Sequence, residues 1–355
     1  MRQTNARFFE GTSEVNPYAP LPSALQAARQ ALDAPDRCRG PLCVELVAEI
    51  ALRVGVSEDS IVLGADGLSL AFALLRSLMA DAPGRPVELV VPHGGFDAYE
   101  DLARRLPAAH CSRVPLTPDG CQDLDALLHQ GNGGRGVVFL TNPQDPTGVL
   151  LPGAELGRFL DRVSPETTVV LDEAHWEFVR DPDFTPGTGL LARHPRLVVL
   201  RSLSVVHGLD GLRVAYAACV PGTAELIQRQ ILPHDVGMVA QLVALASLRT
   251  PSQVRARTDA IVRERDRLRE ELRLLGFQVP PSQTHQLWMP LGADSTRFAL
   301  ACRGAGADVR LRPGEGVQVT VGPPELGDRV LRAAAHFIAT SAAGTRRDGE
   351  VIDRI

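Results

Sequence analysis

Four titratable side chains of this sequence could do acid–base chemistry: Asp145, Asp172, His175 and His207. A set of histidine and carboxylate groups in one pocket can act as general acid and base near neutral pH. Each group also has a simpler explanation, because a single histidine on a turn is more often structural and a carboxylate can be just the polar end of a strand. The residue types therefore indicate a candidate acid–base site and leave its reaction open.

Lysine is absent from the chain, because all 37 residues counted as lysine plus arginine are arginines. A GC-rich genome favours arginine, but such a bias would deplete lysine rather than remove it where chemistry requires it. Reactions in which a lysine amine bonds covalently to a carbonyl compound are therefore closed to the side chains of this protein.

The elements that must position these groups alternate between strands and helices. Short apolar segments predict strands, and the segments between them have helical spacing. The predicted strands cover residues 87–91, 137–140, 168–171 and 197–200. Short, fully apolar strands that alternate with helices are typical of a mostly parallel sheet covered on both faces, and ligands bind beyond the ends of such strands.

The composition says little about partners. A net charge of -5 and a pI near 6.0 give no general attraction to nucleic acid or to anionic membranes. No apolar segment approaches the roughly 18 residues of a membrane-spanning helix. The six cysteines show no C-x-x-C pair and no zinc-ligand spacing, so we expect reduced thiols, no metal site and a cytoplasmic location.

Three segments resemble motifs of the class I/II (fold-type I) aminotransferases, most closely the histidinol-phosphate aminotransferase branch. They are VVFLTNPQDPTGVLL (137–151), TTVVLDEAHWEF (167–178) and RSLSVVHGLDGLRVAY (201–216). The family has NPxNPTG, D-E-A-Y-x-x-F and R-T-x-S-K-x-x-G-L-A-G-L-R-x-G-Y at these places, in the same order. The resemblance implies an α/β fold with a mostly parallel sheet, helices on both of its faces and a second, smaller α+β domain.

The resemblance also implies residues for a pyridoxal phosphate site. Asp172 would face the pyridinium nitrogen, because a buried carboxylate keeps this nitrogen protonated and the ring electron-withdrawing. Arg213 would bind the cofactor phosphate with two hydrogen bonds, although it could instead be a structural ion pair. The other implied cofactor contacts are Ala65, Asp66, Phe96, Ser202 and Ser204.

Several positions depart from the family pattern. Val205 stands where the family has the lysine that bonds to the cofactor and moves a proton. Asp145 replaces an asparagine beside the ring oxygen, and His175 replaces a tyrosine. Gln318 replaces an arginine that would bind a substrate carboxylate, whereas Arg310 matches a family arginine. The predicted substrate contacts are Tyr18, Arg310 and Gln318.

These departures predict that the chain does not transaminate. The favoured hypothesis is a repurposed enzyme that uses the old cofactor pocket on a small polar or phosphorylated substrate, with His207, His175 and Asp145 as catalytic groups. One alternative is an enzyme that binds pyridoxal phosphate or pyridoxamine phosphate without a covalent bond. The other is a catalytically dead pseudoenzyme that serves as a dimer partner or binding module. No covalently bound cofactor is expected in any of the three.

The predicted organisation has four parts. Residues 1–35 form an arm that contributes to the small domain, 36–245 the large domain, 246–340 the small C-terminal domain, and 341–355 a disordered tail. Enzymes of this fold are usually dimers, so the resemblance implies a homodimer or a heterodimer with a related aminotransferase. The expected ligand is a small molecule, with neither nucleic acid nor membrane as a partner.

Overall fold

The structure is a computed structural model that describes residues 18–33, 43–94, 98–106 and 108–352, with side chains as far as residue 340. Its described residues divide into two compact units. The larger comprises Tyr18–Val262 with Pro281–His285, and the smaller comprises Arg263–Pro280 and the chain from Gln286 onward. The predicted Phe96 contact lies outside the described residues.

The larger unit is built on a seven-stranded sheet of order β1-β7-β6-β5-β4-β2-β3. Its strands are β1 (Ile61–Gly64), β2 (Val87–His93), β3 (Ala109–Pro115), β4 (Gly136–Thr141), β5 (Thr168–Asp172), β6 (Leu197–Ser202) and β7 (Ala215–Ala218). All pairings from β6 to β3 are parallel, and β7 runs antiparallel to both of its neighbours. The mostly parallel sheet is therefore confirmed.

Helices cover both faces of this sheet. Successive residues of a strand point to opposite faces, so Leu171 and Val170 of β5 enter two different core clusters. One cluster includes residues of α1 (Pro22–Asp33), α2 (Val44–Val54), α5 (Leu124–Gly131), α6 (Gly153–Arg162) and α8 (Met238–Leu248). The opposite cluster includes residues of α3 (Gly67–Asp81), α4 (Ala98–Arg105) and α7 (Pro221–Gln228).

The smaller unit has a three-stranded antiparallel sheet of order β8-β10-β9. Its elements are β8 (Gln286–Met289), α10 (Ser295–Gly304), β9 (Arg310–Arg312), β10 (Gly316–Thr320) and α11 (Pro324–Ile352), while α9 (Pro251–Leu274) contributes residues to both units. Phe277, Phe298 and Phe337 pack together, with 5.5 Å and 5.4 Å between the ring centroids of Phe298 and the other two.

The C-terminal segment differs from the disordered tail predicted from residue 341. Helix α11 continues to Ile352. Its last turns include two alanines and two arginines, residue types that favour helices. In the described part of the chain, no helix has the length and apolar character that crossing a membrane requires.

Candidate functional site

A hydrogen-bonded carboxylate lies at the carboxyl edge of the parallel strands. Asp172 is the last residue of β5, the middle strand of the sheet. Its Oδ2 accepts a hydrogen bond of 2.6 Å from the Tyr99 hydroxyl, and its Oδ1 accepts one of 2.9 Å from the N–H of Ala174. Tyr99 comes from α4 and stacks on Phe139 of β4, with 4.4 Å between ring centroids. Three elements therefore fix this carboxylate.

The surroundings of Asp172 favour a cationic ligand. Loss of water raises the pKa of Asp172, while the hydrogen bonds from Tyr99 and Ala174 and the nearby His175 lower it. Burial and the neighbouring Asp172 raise the pKa of Tyr99 well above its usual value, so its hydroxyl stays a donor at neutral pH. A desolvated carboxylate gains free energy from a nearby positive charge, and a protonated pyridine nitrogen would supply one.

Asp145 adds a second negative charge to this group. It follows β4 in the turn that Asn142 braces by two hydrogen bonds to the backbone of Leu151, of 3.0 Å and 2.9 Å. The charge of Asp145 raises the pKa of both Asp172 and Tyr99. Two neighbouring carboxylates repel each other, which further favours a cationic ligand near them.

His175 belongs to the same group and also contacts a second histidine. Its ring lies 5.0 Å from that of His285, centroid to centroid. Burial, and then the nearness of His175, lower the pKa of His285 well below the usual value. The Nδ1 atom of His175 is buried and has no hydrogen-bond partner in the described part of the chain, so it is available to a ligand.

A second cluster surrounds the first turn of α3. Helix N-termini bind anions through free N–H groups. The side chain of Arg213 reaches this end of α3, and the backbone of Arg213 has a φ of 52°. For a residue other than glycine, this left-handed conformation costs about 1–2 kcal/mol. Ser204 lies in the loop after β6, where its N–H donates to Ser202 Oγ at 3.0 Å. Ala65, Asp66 and Arg213, three of the predicted cofactor contacts, lie in this cluster.

The protein's own carboxylates occupy these donors. Asp66 caps α3: its Oδ1 accepts from the N–H of Ser69 at 2.6 Å, and its Oδ2 accepts from Arg213 at 2.5 Å. Asp235 accepts from the N–H of Ala65 at 3.2 Å. Three of the donors at this end of α3, the N–H groups of Ala65 and Ser69 and the guanidinium of Arg213, are therefore already paired with carboxylates of the chain.

The described residues are suited to binding the ring of pyridoxal phosphate. They can bind its phosphate group only if that group displaces the Asp66 carboxylate. Asp172 offers the ring nitrogen a desolvated carboxylate. The Asp66–Arg213 pair has exposed side-chain fractions of 30% and 50%, and such pairs contribute about 0–1 kcal/mol. Loss of the Asp66 cap costs about 1 kcal/mol more. A phosphate group can therefore displace Asp66, but with reduced affinity.

Replacement of Asp66 by glycine is expected to tighten phosphate binding by about tenfold or more. The Asp66→Gly change removes a competing carboxylate, and glycine itself is tolerated at a helix N-cap. Titration calorimetry with inorganic phosphate and with pyridoxal phosphate would measure the change. Asp123→Gly is a matched control, because Asp123 caps α5 by accepting from Ala126 N–H at 2.9 Å. Equal phosphate affinities for the two variants would contradict the competition.

His207 lies apart from the Asp172 group. Its Nδ1 is 2.7 Å from Ser247 Oγ, and its Nε2 is 3.5 Å from Glu177 Oε1. The side chain is buried among the helices on the opposite face of the sheet from Tyr99. The structure thus brings Asp145, Asp172 and His175 together and places His207 elsewhere.

The predicted substrate contacts divide between the two units. Tyr18 belongs to the larger unit, where the guanidinium of Arg257 lies 6.0 Å from its ring centroid. Arg310 and Gln318 are register partners in β9 and β10 of the smaller unit. Gln318 also donates a hydrogen bond of 2.6 Å to Gln286 Oε1.

Two features beside the site were missed from the sequence. Tyr99 is the tyrosine of the segment after β2, but nothing in the sequence links it to Asp172. Arg201 and Glu173 form a buried ion pair at 2.7 Å and 3.0 Å, with exposed side-chain fractions of 2% and 0%. Both residues lie inside the quoted motifs, so their motif positions were the available signal.

The fold is that of the fold-type I aminotransferases, and comparison with known proteins supplies the family. The profile of the family "Aminotransferase class I and II" matches residues 12–335. The chain therefore belongs to the class I and II aminotransferases.

Two relatives of similar sequence are each named "Aromatic amino acid aminotransferase". That of Streptomyces avermitilis is 36% identical over 326 residues, covering 92% of this chain and 89% of the relative. That of Nocardia farcinica is 37% identical over 318 residues, covering 89% and 88%. The fold is similar to that of histidinol-phosphate aminotransferase from Sinorhizobium meliloti in complex with pyridoxal-5'-phosphate, with a TM-score of 0.78, 24% identity and coverage of 92% and 90%.

These relatives contradict the functional hypothesis drawn from the sequence. We expected a chain that does not transaminate: a repurposed enzyme, an enzyme that binds pyridoxal or pyridoxamine phosphate without a covalent bond, or a dead dimer partner or binding module. Proteins that match 92% of the chain at 36% identity are aminotransferases by name. The hypothesis gave the missing lysine more weight than the rest of the chain, and it was wrong.

Proposed function

We propose that this protein transfers an amino group between an aromatic amino acid and a 2-oxo acid, using pyridoxal phosphate or pyridoxamine phosphate held without a covalent bond. The Asp172–Tyr99 pair, held at the carboxyl edge of a class I and II aminotransferase fold, carries the proposal. The names of the relatives at 36% identity support the substrate class.

The non-covalent mode follows from composition. The chain has no lysine side chain that could bond to the cofactor, and the partly exposed Val205 stands at the family's lysine position. When bound, the cofactor supplies a cationic ring that withdraws electrons from the substrate. Asp172 would hold that ring, Arg213 and the first turn of α3 would bind its phosphate, and Ser204 would flank it.

We assign the proton-moving role to His175. Its unpaired Nδ1 lies in the same electrostatic group as Asp172, and imidazole accepts and donates protons near neutral pH. Tyr99 would keep the Asp172 carboxylate oriented toward the ring. His207 is not given this role, because it contacts Ser247 and Glu177 instead.

A half-reaction tests the proposal. Purified protein is mixed with pyridoxal phosphate and phenylalanine, and with pyridoxamine phosphate and phenylpyruvate, while cofactor absorbance and phenylpyruvate are followed. We expect conversion faster than in buffer, reduced about 10²-fold by Asp172→Asn and by His175→Ala. Conversion no faster than in buffer, with either cofactor form bound, would refute amino-group transfer.

A further inference from the structure

The larger unit contains a cavity of about 610 Å³ that the proposed function does not use. Volumes of about 300–1,000 Å³ are typical of small-molecule sites. Its walls are mainly apolar, with aromatic and aliphatic side chains that include Trp176, Phe184, Tyr216, Ile50 and Leu248. The cavity therefore has the size and lining of a site for a small aromatic ligand.

This cavity lies on the other side of the sheet from Asp172. Ile50 and Tyr216, which line it, belong to the core cluster that includes α2 and α8. Tyr99, which holds Asp172, belongs to the opposite cluster. A ligand in the cavity would therefore be separate from a ligand at Asp172.

Two polar atoms at the cavity wall lack hydrogen-bond partners in the described part of the chain. They are His207 Nε2 and Glu177 Oε2. The imidazole is 1% exposed and is held by Ser247 at its Nδ1, 2.7 Å away, while its Nε2 is 3.5 Å from Glu177 Oε1. Buried polar atoms are normally paired, so this imperfect pair leaves hydrogen-bonding capacity unused in two residues that line the cavity.

The charge around the cavity argues against an anionic ligand. Arg53, Arg180 and Arg255 also line it. Arg53 already pairs with Glu49 at 2.7 Å, and both other arginines pair with Asp259, at 2.6 Å and 3.9 Å. A ligand carboxylate would have to compete with these partners and would also meet the carboxylate of Glu177.

We propose that this cavity binds a neutral aromatic molecule of the phenol class. The ring would lie among Trp176, Phe184 and Tyr216. A hydroxyl group both donates and accepts, so it can donate to Glu177 Oε2 and accept from the Nε2–H of His207. An aromatic hydrocarbon fills the same volume but leaves both atoms unpaired.

Calorimetry with a matched pair of ligands tests the proposal. The probes are 4-methylphenol and toluene, which differ by one hydroxyl group. We expect saturable binding of 4-methylphenol and at least about tenfold weaker binding of toluene, because the lost hydrogen bonds involve a charged group. In a Trp288→Phe background the remaining tryptophan, Trp176, should report the same binding curve by fluorescence. Absence of 4-methylphenol binding, or equal affinities, would overturn the proposal.

Substitutions on one helix locate the site. Val54 of α2 lines the cavity, whereas Leu52 of the same helix is 80% exposed. Val54→Phe should abolish binding, Leu52→Phe should leave it unchanged, and Glu177→Gln should weaken it about tenfold. Asp172→Asn should bind 4-methylphenol like the original protein. Binding that survives Val54→Phe, or that is lost in Asp172→Asn, would place the ligand elsewhere and refute this assignment.

Discussion

Introduction of a lysine at position 205 is expected to convert a non-covalent cofactor site into a covalent one. The Val205→Lys chain would hold a single lysine, so its only other primary amine is the N-terminus. Lysine condenses with the cofactor aldehyde with loss of water, and borohydride reduces the resulting imine to a secondary amine. The peptide that contains residue 205 should therefore gain one phosphopyridoxyl group. Because a positioned general acid–base group contributes about 10²–10⁴-fold, the half-reaction should accelerate by a similar factor.

A lysine on the surface is the matched control for this result. Arg229 has an exposed side-chain fraction of 65% at the end of α7. Arg229→Lys also gives the chain a single lysine, but without placing the amine near Asp172. Equal labelling and equal rates for the Val205→Lys and Arg229→Lys variants would contradict the placement of Val205 at the cofactor.

Loss of charge at Glu173 is expected to lower the free energy of unfolding by about 3–5 kcal/mol, because it leaves the buried Arg201 guanidinium without its counter-charge. Burial alone would lower the pKa of Arg201, but Glu173 and Tyr216 together outweigh it and the pKa is raised, so the arginine stays charged. Glu173 Oε1 also accepts from the N–H of Gly187 at 2.7 Å. Urea denaturation of Glu173→Gln would measure the loss.

An exposed ion pair serves as the control for the buried Glu173–Arg201 pair. Glu225 and Arg229 pair at 2.5 Å with exposed side-chain fractions of 66% and 65%. Glu225→Gln should change the free energy of unfolding by less than about 1 kcal/mol, because solvent screens such pairs. If Glu173→Gln were no more destabilising than Glu225→Gln, the buried pair would have no special role in holding β5 and β6 together.

The four strands predicted for the large domain became β2, β4, β5 and β6, because buried parallel strands are continuous apolar segments that the sequence displays directly. Strands β1, β3 and β7 of this sheet were not predicted. β3 is an edge strand that alternates polar and apolar residues, and β7 has only four residues, AYAA, with little strand preference. Their pairing depends on neighbours that are distant in the sequence.

Prediction of the site from the sequence was limited in the same way. Motif position identified Asp172 and Arg213, but their partners Tyr99 and Asp66 are 73 and 147 residues away in the chain. The sequence also could not show that His207 faces Ser247 rather than Asp172. Residue type and motif order locate the end of a strand, whereas the direction of a side chain depends on how the elements pack.

The order of the sheet also bears on self-association. Open sheet edges present unpaired backbone groups that can recruit strands from other chains. Here one edge is the four-residue β1, and the other is β3, which carries His110 and Arg113 and ends at Pro115. Arg113 is anchored by Glu100 at 2.7 Å. A short strand at one edge, and charge and proline at the other, disfavour fibril-like stacking of copies while the long apolar strands stay in the interior.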